Sequence, residues 1–588
     1  MTALQQPARA EGPSRPPVRV PFPVVDEVAR HCLQEEEPET VHIEVHLPGR
    51  LDEGRLRTAF AQALGRHPRI LMREAPGRWY RRRYEWELTA EPDVEVVSFP
   101  APGRNALRDA RTRALTQAPP LTLSPPIRLE VVQRSGPVEG SEATDAVGGT
   151  RGGAPAGGRA VAETRGRAPA EGRAVGETQG GPPAEGRAVG ETQGGPPAEG
   201  RAVGETQGGP PAEGRAVGET QGGPPAEGRA VGETQGGPPA EGRAVGETQG
   251  GAPAGEGAVD GPPPRIPDPG PGAPLGTVLF LTINHTALDG PACLRVLATA
   301  AEIYGGRDNS PAAAPVRTQE AQPPPEKTPS NWSPPARVAP GTPEPPPSSQ
   351  LRSSRGDPHP QGNGMLVTEL PLPHRPKGSP YTVNDQLMVT TALTIAHWNR
   401  EHGDRPRPLR ITMPVDDRPR DATMPIGNGT RLVEVPFTPA ELAAHAPADM
   451  PALLHRTATR TRALKSLPRP QLGHGAALLT APLAPVAWRA AVTRGLRRAA
   501  APWTSTTLLS NIGRIPYALD FGADAGRAHA VWFSAPARMP RGLTVTTAST
   551  AGRLHLALRW SRALLSHGDG AHLRDLFEHY LHSTEVTE

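Results

Sequence analysis

The residues best suited to chemistry lie in one short stretch, Asn284-His285-Thr286-Ala287-Leu288-Asp289-Gly290. An imidazole with an unperturbed pKa near ~6.5 gives and takes a proton readily at neutral pH, which suits general-base work. An aspartate four residues on can fold back to fix the loop or orient the ring. Alone the spacing says little, because a structural loop histidine fits it equally well. The setting says more. Residues 278–283 form a continuous apolar run that reads as a buried strand, and Pro291 suits the first position of a helix. That helix places Leu294, Leu297, Ala301 and Tyr304 on one stripe.

The flanking blocks supply elements to carry this loop. Residues 41–47 alternate apolar and polar, as a half-buried strand does. Leu51, Leu56, Ala59, Phe60, Ala63 and Leu64 follow at helical spacing and stop before His67-Pro68. Residues 79–86, with Trp79, Tyr80, Tyr84 and Trp86, read as a hairpin, and 127–132 as a strand. Further on, Thr382 and Asp385 form a capping-box pattern. The helix they open has Val383, Leu387, Met388, Ala392, Ile395 and Ala396 on its apolar face. Strands are expected at 409–415, 430–437, 505–510, 543–549 and 553–560, and a helix at 569–582. Strands and helices mixed without strict alternation predict an α+β fold, a mixed-sheet α/β sandwich, rather than a doubly wound sheet.

Composition divides the chain. Of 588 residues, 66 are Gly and 75 Pro, and these crowd into 135–275 and 305–364. The unit GGPPAEGRAVGETQ recurs five times without error from Gly180 to Gln249, after two degraded copies. Each unit offers one large apolar residue and two breakers of regular structure, so the repeat reads as a disordered surface insertion and not as a solenoid. The domain reading is therefore 1–134, the repeat insertion 135–275, an island 276–304 that folds with its flanks, a Pro-rich disordered linker 305–364, and 365–588. With 64 basic against 61 acidic residues the net charge is +3, which supplies no overall field for nucleic acid or anionic lipid. Cys32 and Cys293 are too few for a disulfide framework or a cysteine metal cluster. The first residues show no secretory apolar run, and the longest apolar stretch, 476–488, is interrupted by Pro482 and Pro485 and is too short to span a bilayer. The expectation is a cytoplasmic, soluble chain without stable membrane insertion.

Weaker signals have bland readings. His42, Glu44 and His46 share a strand face and offer metal-ligand types, but a solvated face is the simpler account. Arg81, Arg82 and Arg83 among aromatics could stack on nucleic acid, though a twisted hairpin with outward side chains explains them equally. Residues 476–498, apolar and then basic, suit either a membrane surface or a helix packed beside an apolar channel. No phosphate loop, nucleophile elbow, dinucleotide fingerprint or zinc spacing is present.

The loop at 282–290 resembles the HHxxxDG signature of the condensation-domain, or chloramphenicol-acetyltransferase-like, superfamily, whose members include peptide-synthetase condensation domains, polyketide-associated acyltransferases, wax ester synthases and BAHD acyltransferases. Other segments are similar in order. Residues 51–70 look like the LDxxxLxxA…RHP helix, 119–132 like the following strand, and 382–396 like the TxNDhLLAA helix. Residues 413–419 with Gly427-Asn428 resemble the hPVNLRP segment, and Ser510-Asn511-Ile512-Gly513 the SNhG turn. The likeness covers nearly all of the ordinary globular sequence and none of the repeats.

What this resemblance implies is a pair of chloramphenicol-acetyltransferase-like subdomains forming a V around a channel. His285 is then the general base on a hydroxyl or amine acceptor. Asp289 forms an internal salt bridge, with Arg418 the partner by position. Asn284 and Gly290 support the loop, and Ser510 and Asn511 are donors or channel residues. The acyl donor is a thioester of coenzyme A or of a carrier-protein phosphopantetheine, in secondary-metabolite or lipid biosynthesis, with no bound cofactor, no metal and no nucleic acid, and a carrier protein as a candidate partner of a monomer. Asn284 replaces the first His of the signature, Asp416-Asp417 replaces Asn-Leu, and residues 520–526 only loosely echo the BAHD DFGWG. These departures keep a second expectation open, that of a catalytically silent relative that binds a carrier protein or acyl chain. The insertion before the motif strand is expected beside the channel mouth or on the outer rim.

Overall fold

The computed structural model describes residues 18–33, 37–103, 105–133, 276–312, 334–342, 362–419, 424–443, 449–466, 472 and 475–585, together with the strands of the repeat region. In chain order the elements before the repeats are β1 (Val18–Pro21), α1 (Val24–His31), β2 (Thr40–Leu47), α2 (Glu53–Arg66), β3 (Met72–Glu74), β4 (Glu85–Leu88), β5 (Val97–Ser98), α3 (Ala106–Thr116) and β6 (Ile127–Gln133). After them come β7 (Thr277–Asn284), α4 (Gly290–Gly305), β8 (Asn363–Pro371), α5 (Val383–Glu401), β9 (Leu409–Asp416), β10 (Thr430–Phe437), α6 (Pro439–Ala443) and α7 (Met450–Ser466). The chain continues through α8 (Ala476–Thr480), α9 (Val486–Ala499), β11 (Thr507–Arg514), β12 (Ala530–Ser534), β13 (Leu543–Thr550), β14 (Arg553–Ser561) and α10 (His567–Ser583).

The fold is a mixed α/β arrangement of two principal sheets. The first has the order β12-β2-β7-β6-β5. Its central strand β7 is buried at every position, which is what a continuous apolar run does when both edges are paired and both faces covered. Helices α2 and α4 pack one face through Leu56, Phe60, Leu64, Leu294 and Leu297, and α3 covers the other, with Ala110 against Val132, Val278 and Phe280. The second sheet, β8-β14-β13-β11-β9-β10, has β11 parallel to both neighbours and antiparallel pairs elsewhere. It carries a separate core around Leu393, Trp398, Ile411, Leu558 and Phe577. The capping box at Thr382 and Asp385 forms as expected and starts α5. A small three-stranded sheet, β1-β4-β3, completes the first lobe.

Several readings change. The hairpin expected at 79–86 is a turn followed by β4, which pairs with β1 and β3 rather than with its own preceding residues, because the Phe22, Tyr84 and Trp86 rings stack into the core. The face bearing His42, Glu44 and His46 is not solvated. Glu44 is fully buried under α3, with Arg111 at 2.6 Å and His46 at 2.7 Å. The 365–588 block is not one unit. Residues 515–533 return to the first core through Ile515, Tyr517, Leu519, Phe521 and Val531, and β12 joins the first sheet beside β2. Within the stretch read as a disordered linker, 334–342 is ordered against the second core, where Trp398 Nε1 donates to the Ala339 carbonyl (2.9 Å). Residues 313–333 and 343–361 lie outside the described residues.

The repeat region also departs from expectation. Each of the five exact units contributes a five-residue and a two-residue strand, and successive units pair in parallel register, Glu185 with Glu199 and Thr192 with Thr206, within seven- and eight-stranded ladders that include strands of the degraded copies. The backbone supplies the reason. Identical units bring identical N–H and C=O rows together every 14 residues, so pairing needs no large apolar face within one unit. The remaining residues of 135–275 lie outside the described residues. The insertion leaves β6 at Gln133 and re-enters β7 at Thr277, residues that are paired with each other. That end of β7 is eight residues, or about 25 Å of strand, from His285.

Candidate active site

The loop after β7 is built by its own amides. Asn284 is buried, donates through Nδ2 to the Pro119 carbonyl (2.9 Å) and accepts from the Thr286 N–H (3.1 Å). It therefore braces the loop against 119–126 and does not line the cavity. His285 donates its backbone N–H to the Glu39 carbonyl (2.8 Å). Its ring Nδ1 lies 3.1 Å from the Leu288 carbonyl. A carbonyl only accepts, so Nδ1 must carry the proton and Nε2 of the neutral ring keeps its lone pair. The ring stands in the wall of a cavity of about 540 Å³.

Asp289 caps α4, accepting the Ala292 N–H at Oδ1 (3.1 Å). Its other oxygen takes the Gly429 N–H (2.9 Å) and Arg418 Nη2 (2.7 Å). Arg418 is held in turn by both oxygens of Asp416 and by the Gly427 carbonyl (2.9 Å). Burial pushes the Asp289 carboxyl above its usual value, against the pull of the Arg418 guanidinium. Burial lowers the Arg418 value, and its hydrogen bonds and charge pairing with Asp416 and Asp289 outweigh that and raise it. A Cβ at Gly429 would overlap the Arg418 guanidinium, so that approach requires glycine, and one at Gly290 would crowd the Phe533 ring at 3.1 Å. The Asp289–Arg418 pair thus ties the first sheet's loop to the second sheet.

The cavity is walled by both lobes, by His285, Gly290 and Leu294 from one and by Pro414, Thr430, Leu508, Ser510 and Thr546 from the other. Ser510 opens onto it, with no side-chain hydrogen-bond partner among the described residues. Asn511 also lines it, but both ends of its amide are engaged. It donates to Asn384 Oδ1 (3.3 Å) and accepts from the Gly513 N–H (2.9 Å) and Thr547 (3.2 Å), shaping a bulge in β11.

Two further residues brace the His285 loop. Asn428 donates to the His285 and Thr286 carbonyls (3.2 and 3.1 Å) and to Asp26 Oδ1 (2.9 Å). Burial raises the Asp26 carboxyl to about 6, against hydrogen bonds from Asn428 and Trp86. The resemblance pointed to Asn428 only as part of the Gly-Asn pair, and nothing singled out Asp26. Among the described residues no group of three or more His, Cys, Asp or Glu is arranged to hold a metal ion, and no helix is long and apolar enough to cross a membrane.

No protein-family model matches the chain, and no curated protein matches it by sequence. Solved structures are similar over most of their length. TRI3 trichothecene 15-O-acetyltransferase from Fusarium sporotrichioides is 10% identical, with 98% of each chain covered and a TM-score of 0.49. The condensation domain from Monacolin K polyketide synthase MokA is 10% identical, with 97% of each covered and a TM-score of 0.47. The starter condensation domain of rhizomide synthetase RzmA is 11% identical, with 97% of this chain and 96% of that one covered and a TM-score of 0.44. At such identities fold and function separate easily, so the weight falls on the site.

Proposed function

We propose that the protein is a condensation-type acyltransferase that joins an acyl thioester to a hydroxyl or amine acceptor, with His285 as general base. The observation that carries this reading is the Nδ1 contact to the Leu288 carbonyl, which leaves the Nε2 lone pair free in the wall of a cavity lined by both lobes. In the step, the acceptor oxygen or nitrogen attacks the thioester carbonyl while its proton passes to Nε2. Collapse of the tetrahedral oxyanion breaks the C–S bond, and the imidazolium returns the proton to the departing thiolate. Ser510 Oγ is a candidate oxyanion donor. Asp289 and Arg418 act as positioning residues, fixing the loop rather than touching substrate. Asn284, braced in the interior, removes one reason to expect a silent protein, because the position of the missing first histidine is occupied by a side chain that holds the loop. The thioester of coenzyme A or a carrier protein enters as substrate, in secondary-metabolite or lipid biosynthesis.

The test is a panel of acyl thioesters incubated with candidate alcohols and amines and the full chain, read by mass spectrometry and by released thiol. Acyl-acceptor product that forms with the wild type and disappears in His285→Ala supports the reading. Product formation unchanged by that substitution, or no transfer from any thioester, contradicts it.

A further inference from the structure

Arg497, Thr504, Arg538 and Arg541 line the cavity, with Arg497 and Arg538 near enough to Arg541 to act on its charge. Arg538 is committed, to the Glu39 carboxylate and the Cys32 carbonyl. The other two guanidinium groups are not. Arg541 gives Nε and Nη2 to Ser505 Oγ (3.2 and 3.0 Å), with Thr412 Oγ1 at 3.4 Å from Nη2, and its Nη1 has no partner among the described residues. Arg497 makes one long contact, Nη2 to the Met539 carbonyl (3.5 Å). Neither has a carboxylate in ion-pair range among the described residues, and Arg541 is held by neutral hydroxyls alone. Burial depresses the Arg541 value, Glu434 opposes this and Arg497 adds to it. A guanidinium facing a cavity with spare N–H groups and no carboxylate in direct contact is matched by a carboxylate or phosphate, which takes two parallel hydrogen bonds.

The spacing along β9 separates these arginines from the Arg418 brace of the His285 loop. Thr412, against Arg541, and Asp416, against Arg418, are four residues apart on the same face of β9, or about 13 Å. Pro414, Leu432 and Leu508 line the wall of the same cavity. Resting on the acyl-transfer reading, we infer that Arg541 and Arg497 form an anion subsite that takes the carboxylate or phosphate at the tail of an elongated substrate whose reacting end meets His285. The anion belongs either to the thioester arm or to the acceptor.

Calorimetric titration of the full chain separates the sources, with coenzyme A, with pantetheine, which keeps the arm but lacks the phosphates, and with suberate as a dicarboxylate. The subsite predicts that at least one anion binds the wild type, that R541M and R497M each weaken it at least about tenfold, and that R541K recovers part of the loss. Dependence of coenzyme A binding on these arginines, with pantetheine unaffected, assigns the anion to the donor; dependence of suberate binding assigns it to the acceptor. Arg497 is half-exposed on α9, so R497M keeps the test intact where R541M fails to fold. Anion affinity unchanged in both variants, or no binding of either anion to the wild type, overturns the subsite. His285→Ala retains wild-type anion affinity in this account, so a failure at the base and a failure at the subsite are read separately.

Discussion

At the residue scale, the His285 loop is held by a few polar atoms with fixed partners. Nδ1 is spent on the Leu288 carbonyl, the loop carbonyls on Asn428, and Asp289 on a helix cap and an ion pair. Asp289→Asn keeps a capping oxygen but removes the charge facing Arg418, which is 10% exposed and retains only Asp416. The expected outcome is a loss of roughly 2–3 kcal/mol in stability by denaturant titration, with kcat falling more than KM rises. Arg418→Lys should behave similarly, because one ammonium cannot span two carboxylates and two carbonyls. His285 and Asp289 were visible in the sequence because their signal is local. Asn428 and Asp26 were not, since an amide and a helical carboxylate gain their role only from carbonyls and rings far along the chain.

At the scale of elements, what was legible follows the same division. Strand β7 and helices α2, α4 and α5 announce themselves through runs, spacing and caps. Helix α1 does not, because it buries Asp26, Glu27 and His31, the reverse of the usual amphipathic pattern. Glu27 is matched by Arg489 of α9 at 2.7 Å. The crossing of β12 into the first sheet is equally silent, being a long-range pairing. Arg559, inside β14, reaches the Thr40 carbonyl and Asn363 Oδ1 (both 2.7 Å) and so joins the second sheet to the first residue of β2. Arg559→Ala should cost roughly 3 kcal/mol in denaturant unfolding by stranding buried acceptors; a change below about 1 kcal/mol would refute that tie. The repeats attach where β6 and β7 are already paired, so replacing 135–275 with a short turn should preserve both Tm and transfer rate. Loss of either would show that the insertion takes part in the fold or the site.

For the whole molecule, buried histidines set the response to acid. Burial, the largest cause in each case, lowers His42 to about 3 and His31 and His67 to about 4. Below the unfolded value of about 6.5 the unfolded chain binds protons that the folded chain refuses. Stability from these groups is therefore complete above pH ~6.5 and drains away as pH falls toward 4. Urea unfolding at pH 7, 6, 5 and 4 should show this decline, and His42→Asn should flatten it by about one proton. Asp26, raised to about 6 by burial, works in the opposite sense and offsets part of the decline, so the contradicting result is a slope between pH 6 and 4 that His42→Asn leaves unchanged.

On the proposed acyl-transfer reading, the two-lobed architecture matters because both lobes wall the cavity at His285 and brace its loop. The most direct measurement is the single-turnover rate of thiol release by wild type and His285→Ala, at a temperature where circular dichroism shows both folded. A fall of about 10²–10⁴-fold with unchanged Tm is the predicted result. A rate within twofold of wild type would mean that the acceptor's proton leaves by another route and that His285 only shapes the loop.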